Sequence, residues 1–301
     1  MLGVMRLPAT PTGWSVRDLP VLAGRTVIVT GASSGIGAAT ATALAAAGAR
    51  VIAAVRDVER GRTALAGVPG TIEIRRLDLA DLAAVRSYVA TIFEPVDIVI
   101  NNAGVIGGRL RRTADGFELQ FGTNHLGHFA LTGLLLPMIT DRVVTVASVA
   151  HRHGRIDLAD PNFDHRRYRA GTAYAQSKLA NLLFTQELQA RLDAAGSPVR
   201  AHAVHPGAVA SGIVDRFGPI ARAIGPVIVR SSAEGALPLL YAATQPLPGG
   251  SYVVAGPRHG ANSGPNLSRP SATALDRELA ADLWTLSERL TGIRFAISSA
   301  S

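Results

Sequence analysis

The stretch T-G-A-S-S-G-I-G runs from Thr30 to Gly37, between a β-branched run and an alanine-rich segment. This order predicts a strand, a glycine-rich turn and a helix. We expect Gly31 to permit a tight exit from the strand, Gly35 to let backbone approach a pyrophosphate, and Gly37 to let the helix pack close to the sheet. The helix N-terminus would supply free N–H groups and a positive dipole end. The stretch therefore indicates a dinucleotide site, with an ordinary glycine turn as the alternative. The other predicted contacts at this turn are Ser33, Ser34 and Ile36.

Strand and helix patterns alternate along most of the chain. Short apolar strands joined by helical crossovers predict an α/β fold, a Rossmann-type doubly wound parallel sheet of about seven strands with helices on both faces. The predicted strands cover residues 25–30, 51–55, 72–77, 97–100, 143–147, 199–204 and 251–255. The main predicted helices cover residues 80–93, 116–136, 174–195, 233–243 and 272–290.

The domain organisation is expected to be simple. The sequence has no internal repeat and no linker long enough to separate two domains, so residues 23–301 are predicted to form one domain. Prolines interrupt residues 1–22, which we interpret as an extended arm or a surface cap. This N-terminus lacks the continuous apolar run of a signal peptide.

The composition excludes several classes of function. Of 301 residues, 48% are hydrophobic and 17% are charged, which is typical of a globular protein. No cysteine is present, so disulfides, thiolate catalysis and cysteine-ligated metals are excluded. This usage fits a cytoplasmic protein. No apolar run approaches the ~20 residues that span a bilayer, so no membrane span is expected.

The chain is basic, with a formal net charge of +8 and arginine clusters at residues 109–112 and 165–169. This charge is compatible with a nucleic-acid partner, but no zinc-finger spacing, aromatic RNA-binding motif or basic heptad helix accompanies the clusters. We therefore expect no nucleic-acid partner, and interpret the clusters as solvated surface or as attraction for an anionic cofactor.

The end of the second predicted strand, A-A-V-R-D, bears on which dinucleotide binds. Val55 leaves the last strand position apolar, and the guanidinium of Arg56 can hold a 2′-phosphate. Asp57 is the competing signal, because an acid here would bind the ribose hydroxyls. The pattern favours NADP(H), with NAD(H) possible.

The next two strand ends carry further candidate cofactor contacts. Asp78, followed by Leu79, could accept from the adenine amino group or could cap a helix. In N-N-A-G, which starts at Asn101, we interpret the first asparagine as structural. The small residues after it leave room for a ligand in the sheet crevice. The predicted contacts from this segment are Asn102, Ala103 and Gly104.

Lys178 is the only lysine among 30 lysines and arginines, and it follows Tyr174 by four residues. On a helix the two side chains share one face. Because a nearby ammonium favours phenolate, Lys178 should lower the tyrosine pKa from its usual value of about 10. A compact ammonium can also reach ribose hydroxyls, which a planar guanidinium does less well. The pair predicts an acid–base site, with an unremarkable helix surface as the alternative.

Together, T-G-A-S-S-G-I-G, N-N-A-G, Y-A-Q-S-K and H-P-G resemble the short-chain dehydrogenase/reductase superfamily. N-H-L-G-H-F at residues 124–129 and A-S-V-A-H at 147–151 are similar to its retinol-dehydrogenase-like branch and bacterial relatives. The resemblance covers about residues 24–245. It implies that Ser148 hydrogen-bonds the substrate oxygen and that Tyr174 exchanges a proton with it. It also implies that Lys178 holds the nicotinamide ribose and that Asn124 orders a water leading to solvent.

The resemblance implies cofactor contacts after the sixth strand as well. Pro206 and Gly207 would let backbone approach the nicotinamide, Val209 follows them, and Ser211 replaces the family's usual threonine while keeping a hydroxyl. Residues 211–231 occupy the position of a substrate lid, although a helix simply packed on the sheet is the alternative.

The chain also departs from the superfamily pattern. Ser148 and Tyr174 are 26 residues apart, about twice the usual superfamily spacing. The insertion, around residues 157–171, resembles the retinol-dehydrogenase branch and could cover a dimer face, so homodimer and monomer both remain open. The spacing of His125, His128 and His151 matches no closed metal site, so we predict no metal and expect packing or surface roles.

These observations predict an NADP(H)-dependent oxidoreductase that interconverts a small to medium, apolar alcohol with a ketone or aldehyde. One alternative is a catalytically silent NADP(H)-binding sensor or scaffold, which usually lacks the catalytic tyrosine or lysine. Another is a nucleotide-sugar epimerase or lyase, against which the N-N-A-G and T-G-x-x-x-G-x-G patterns argue.

Overall fold

A computed structural model describes residues 13–207, 230–257 and 264–297. Its centre is one eight-stranded sheet in the order β3-β2-β1-β4-β5-β6-β7-β8. The first seven strands are parallel, and β8 pairs antiparallel with β7. The strands are β1 Thr26–Thr30, β2 Arg50–Val55, β3 Thr71–Arg76, β4 Val96–Asn101, β5 Ile139–Val146, β6 Arg200–His205, β7 Tyr252–Ala255 and β8 Pro265–Ser268.

Helices connect the strands and cover the sheet. In the described ranges they are α1 Gly35–Ala46, α2 Val58–Leu65, α3 Leu82–Val89, α4 Leu119–Phe121, α5 Gly127–Leu135, α6 Ala170–Ala194, α7 Ser232–Thr244 and α8 Arg277–Thr291. A π-helical turn, Gly122–Leu126, joins α4 to α5. No helix within these ranges combines the length and apolar character needed to cross a bilayer.

The core has a layer on each side of the sheet, because the central strands are buried on both faces. On one side α1, α2 and α7 pack against alternate residues such as Val29 and Val204. On the other side α3, α5, α6 and α8 pack against the intervening residues, such as Ile28 and Val143. The predicted doubly wound architecture is confirmed.

The strand order reverses between β1 and β4, so connections leave these two strands toward opposite faces of the sheet. In such a sheet a crevice opens at the carboxyl ends of the strands beside the reversal, and ligands bind there. The turns that follow β1, β4, β5 and β6 all reach this edge, and they carry most of the predicted site residues.

Three details differ from the sequence prediction. The sheet has an eighth strand, because a polar segment, P-N-L-S, pairs with β7 as an antiparallel edge. Helix α2 was not predicted, since its eight residues give a short pattern. The helix predicted over residues 116–136 begins only at Leu119, because Thr113 and Phe117 close a tight turn before it through a backbone hydrogen bond.

The described end of the N-terminal arm is packed rather than free. Trp14 is 5% exposed, and its ring meets Tyr241 of α7 edge-on at 5.2 Å between centroids. Ser15 begins a short 3₁₀ turn with a reciprocal capping box to Asp18. Residues 13–22 therefore cap the α1 and α7 face of the sheet.

Candidate active site

The turn between β1 and α1 has the close packing that its glycines predicted. Gly31 adopts φ +69°, and a Cβ placed on it would lie 2.8 Å from the Ala103 Cα. A Cβ on Gly37 would overlap the Gly31 carbonyl oxygen. Ser34 is the N-cap of α1, but its hydroxyl makes no capping hydrogen bond. The first N–H groups of a helix have no intrahelical acceptor, so this N-terminus suits an anionic group.

Thr30 joins this turn to the N-N-A-G segment after β4. Its hydroxyl oxygen accepts hydrogen bonds from the backbone N–H groups of Asn102 and Ala103, each at 2.9 Å. The Asn102 side chain also donates to the Thr30 carbonyl at 2.7 Å. Asn101 is fully buried and donates to Thr132 at 2.9 Å, as expected for a structural residue. The two glycine-containing loops thus form one wall of the crevice.

The residues after β2 separate the two signals for cofactor choice. Asp57 is the N-cap of α2, and its carboxylate accepts from the backbone N–H of Arg60 at 3.0 Å. The neighbouring Arg56 is exposed. After β3, Asp78 accepts from the Ala80 N–H at 3.0 Å within a turn, and Leu79 is buried. The helix that follows begins only at Leu82, and its N-cap is Asp81, so the prediction that Asp78 caps this helix is wrong.

Asn124 lies in the π-helical turn and is fully buried. Its side-chain oxygen accepts from the Val105 N–H at 2.7 Å, and its amide donates to the Val105 carbonyl and to the Ser177 hydroxyl, each at 3.0 Å. Ser177 donates in turn to the Tyr174 carbonyl at 2.8 Å. A chain of hydrogen bonds therefore connects the loop after β4 to α6.

Ser148 and Tyr174 meet although 26 residues separate them in sequence. Ser148 begins the 3₁₀ turn Val149–His153, which packs against the first turns of α6. Burial raises the pKa of Tyr174, while its hydrogen bond with the Ser148 side chain lowers it. The net direction is upward, opposite to the prediction that Lys178 lowers this pKa. The reason is that burial outweighs the polar contact.

Lys178 is 4% exposed and lies at the bottom of the crevice. Its ammonium donates to the Val146 carbonyl at 2.9 Å and lies 5.7 Å from the centroid of the Tyr174 ring. A Cβ placed on Gly104 would come within 3.7 Å of this ammonium and 3.4 Å of the Asn124 side-chain oxygen. Burial lowers the pKa of Lys178 to about 8.

This lowered pKa predicts that Lys178 makes the cofactor-free protein less stable. Below pH 8 the Lys178 side chain is charged in both the folded and the unfolded protein, and the folded protein bears the full cost of burying that charge. Between pH 8 and pH 10.5 the folded protein has lost the proton while the unfolded chain retains it, so the free energy of unfolding rises with pH. The penalty at pH 7 is on the order of 3 kcal/mol. Lys178→Met should therefore be more stable than wild type at pH 7 in guanidinium denaturation, by about 1–3 kcal/mol.

Asn181 makes this comparison clean, because its amide also donates to the Val146 carbonyl at 3.0 Å and remains in the variant. The stability gap should close as the pH approaches 10. Lys178→Arg, which keeps a buried charge, should show no gain. A methionine variant that is less stable than wild type at pH 7 would contradict the assignment.

The insertion between Ser148 and Tyr174 is anchored to the segment before α4. Arg112 donates to the Asn162 carbonyl at 2.6 Å and to the Asp164 carboxylate at 2.7 Å. The Tyr168 hydroxyl donates to the buried carboxylate of Glu118 at 3.1 Å. These contacts hold the insertion beside the crevice and explain how the longer spacing still brings Ser148 to Tyr174.

The segment after β6 is described only in part. Val209, Ser211 and nearly all of the lid at 211–231 lie outside the described residues, whereas Pro206 and Gly207 follow β6 at the crevice edge. Gly207 adopts φ +82°, and a Cβ on it would meet the Arg230 side chain at 3.0 Å. The predicted residues after β1, β4, β5 and β6 are thus brought together as far as they are described.

Comparison with known proteins agrees with this geometry. The family model for short chain dehydrogenases matches residues 25–219. The chain belongs to this family. Retinol dehydrogenase 13 from Homo sapiens is 40% identical over 94% of this chain and 89% of its own length, so the dehydrogenase is retinol-dehydrogenase-like. It is therefore an NAD(P)-dependent oxidoreductase that acts on CH–OH groups.

Two solved structures extend the likeness. An uncharacterized protein from Mycobacterium paratuberculosis is 50% identical to this dehydrogenase, with a TM-score of 0.84 over 94% of this chain and 99% of the other. The Pseudomonas aeruginosa RhlG/NADP active-site complex is 26% identical, with a TM-score of 0.62 over 77% of this chain and 95% of the other.

Sequence reasoning missed two residues of the site. Thr30 ends the first predicted strand, and the sequence does not indicate that its hydroxyl joins the loops after β1 and β4. Ser177, next to Lys178, links Asn124 to α6. Both hydroxyls lie within motifs of the sequence, T-G-A-S-S-G-I-G and Y-A-Q-S-K, but a hydroxyl alone is equally compatible with a surface position.

Proposed function

We propose that this dehydrogenase uses NADP(H) to interconvert an apolar alcohol with its ketone or aldehyde, with Tyr174 as the acid–base group. The observation that carries the proposal is the meeting of Ser148, Tyr174, Lys178 and Asn124 at the crevice beside the strand reversal. A silent sensor would have no need to keep all four. Bound nicotinamide would supply the hydride, and the glycine-lined turn and the α1 N-terminus are the groups that would hold its phosphates.

The protein residues would handle the oxygen and the proton. Ser148 and Tyr174 would both donate hydrogen bonds to the substrate oxygen, on which charge develops during reduction. Tyr174 would then give up its proton to that oxygen. Lys178 would stabilise the resulting phenolate, because its ammonium lies 5.7 Å from the centroid of the Tyr174 ring. The same ammonium would contact the nicotinamide ribose.

The preference for NADP(H) rests on Arg56 and Asp57. The Asp57 carboxylate is already used as the cap of α2, which disfavours it as a ligand of ribose hydroxyls. The exposed guanidinium of Arg56 remains available for a 2′-phosphate. The NADP found with the Pseudomonas relative supports the same choice.

Arg56→Asp tests this preference. Because a charge-assisted hydrogen bond contributes about 1.5–3 kcal/mol, the KM for NADPH should rise at least about tenfold, while the KM for NADH stays within about threefold. Arg62→Asp is the matched control, since it makes the same charge change on α2 at a residue that pairs with Glu59. An unchanged NADPH-to-NADH ratio in Arg56→Asp would overturn the proposal.

The substrate is proposed to be apolar because Val149, next to Ser148, exposes 54% of its surface. The name of the human relative points in the same direction, since retinol is an apolar alcohol. A panel pairing retinaldehyde and long-chain aldehydes with charged sugars of similar size tests the class. Higher kcat/KM for the apolar members is expected, and a preference for the sugars would contradict it.

A further inference from the structure

His128, in the first turn of α5, is one of three histidines for which the sequence suggested only packing or surface roles. It is 1% exposed and hydrogen-bonds at both ring nitrogens. Nδ1 lies 2.9 Å from the Asn124 carbonyl oxygen, and Nε2 lies 2.9 Å from the Thr30 hydroxyl. One imidazole therefore spans the distance between the π-helical turn and the end of β1.

The partners determine which nitrogen carries the proton. A carbonyl oxygen can only accept, so Nδ1 donates to Asn124 and Nε2 must accept from the Thr30 hydroxyl. The same hydroxyl oxygen already accepts from Asn102 and Ala103. A contact to the Ile100 carbonyl would compete for the hydroxyl proton, but at 3.3 Å it is the longer of the two. The ring is neutral here, because burial lowers the pKa of His128 to about 4.

The two hydrogen bonds of His128 join two parts of the candidate active site. Asn124 sits in a π-helical turn, whose hydrogen bonds run outside the regular α-helical ladder. Its backbone is held by the imidazole, while its side chain binds Val105 and Ser177. Thr30 holds the loops that line the dinucleotide crevice. Besides the hydrogen bonds between Asn124 and Val105, His128 thus provides a second connection between the turn that carries Asn124 and the loops expected to contact the cofactor.

We propose that His128 is a positioning residue that fixes the Asn124 turn relative to the Thr30 and Ala103 wall of the cofactor crevice. This role rests on the proposed function, because it acts on turnover through Asn124. A histidine that only fills space would depend on its volume and not on its two polar atoms. The two readings differ in how kcat responds to variants of similar size.

Three substitutions distinguish the contributions of the two hydrogen bonds of His128. His128→Asn places an amide near the Nδ1 position, His128→Gln places one near Nε2, and His128→Phe keeps the ring volume with neither bond. His202→Leu is the matched control, since His202 is a fully buried histidine whose ring nitrogens have no hydrogen-bond partner among the described residues. Each variant is assayed for kcat and substrate KM, alone and combined with Asn124→Ala.

In His128→Phe, kcat should fall about tenfold or more, with the substrate KM within about twofold of wild type. The kcat values of His128→Asn and His128→Gln should lie between those of wild type and His128→Phe. In the Asn124→Ala background, the phenylalanine substitution should cause no further loss, because the two residues act as one unit. His202→Leu should retain wild-type kcat. A kcat for His128→Phe within twofold of wild type, or losses that multiply in the double variant, would overturn the proposal.

Amide hydrogen exchange on the cofactor-free protein supplies a readout that needs no substrate. The amides of residues 122–128 should exchange about tenfold faster in His128→Phe than in wild type and be unchanged in His202→Leu. Unchanged exchange at these amides would overturn the positioning role of His128. If wild type reduces no carbonyl tested, the proposed function fails, and this exchange comparison still decides the role of His128. If the phenylalanine variant does not fold, the asparagine and glutamine variants carry the same comparisons.

Discussion

Replacing Tyr174 with phenylalanine should reduce kcat by about 10²–10⁴-fold, the usual contribution of a positioned acid–base group. The phenol is the only group in the proposed mechanism that transfers a proton to the substrate oxygen, while Ser148 keeps its hydrogen bond to that oxygen. Binding of NADPH should change by less than about threefold, since the glycine-lined turn and Lys178 remain. Steady-state kinetics and a fluorescence titration of the cofactor measure the two effects separately.

Tyr88→Phe is the matched control for this variant. Tyr88 lies in α3, away from the crevice, and its buried hydroxyl has no hydrogen-bond partner among the described residues. Burial raises the pKa of both tyrosines, so each variant removes a phenolic hydroxyl that is held in its neutral form. Tyr88→Phe should keep wild-type kcat. Turnover by Tyr174→Phe close to that of Tyr88→Phe would rule out the assigned role.

Acidification from pH 7 to pH 5 should remove about 8 kcal/mol from the free energy of unfolding. The cause is four histidines whose pKa is lowered by burial: to about 3 for His125, about 4 for His128, about 3 for His202 and about 4 for His205. Below pH 6.5 the unfolded chain binds protons that the folded protein excludes, so stability falls as pH falls toward 4. At pH 5 each contributes roughly 2 kcal/mol.

This loss is large against the 5–15 kcal/mol that usually stabilises a domain, so the protein should be close to unfolding at pH 5. Glu118 works weakly in the opposite direction, because burial raises the pKa of its carboxyl group. Guanidinium denaturation at the two pH values measures the difference.

His202→Leu isolates one contribution to this loss. On acidification, the free energy of unfolding of this variant should fall by about 2 kcal/mol less than that of wild type, because leucine has no imidazole for the unfolded chain to protonate. His153→Leu, at an exposed position, should show the full wild-type loss. Equal stability of wild type at pH 7 and pH 5 would show that the buried imidazoles do not control acid unfolding.

The fold and most of the site followed from local signals in the sequence. Strand ends are marked by β-branched runs and glycine turns, and a parallel sheet brings these ends to one edge. Gly31 and Ser148, which follow strand ends, could therefore be expected at one crevice from the sequence, whereas the position of Lys178 on a helix made its place there depend on the family resemblance. The chemical roles of the four catalytic candidates, the single-domain boundaries, the choice of NADP(H) and the cytoplasmic location stay predictions.

What the sequence could not give was the outcome of competition between burial and polar contacts. The spacing of Tyr174 and Lys178 suggested a lowered tyrosine pKa, but the structure buries the phenol enough to raise it. His128 looked like a packing residue because its partners, Thr30 and the Asn124 carbonyl, lie on other turns of the fold. The edge strand β8 was missed since its pairing depends on β7 and not on its own polar residues.

The most direct test of the proposed chemistry follows the hydride itself. NADPH carrying deuterium at the transferable position of the nicotinamide is incubated with the protein and a panel of apolar ketones and aldehydes, and the product alcohols are analysed by mass spectrometry. Wild type should place deuterium on the carbinol carbon of at least one product, and Tyr174→Phe should place almost none. Saturating NADPH binding without deuterium in any product would contradict the proposed chemistry and identify a cofactor-binding protein without turnover.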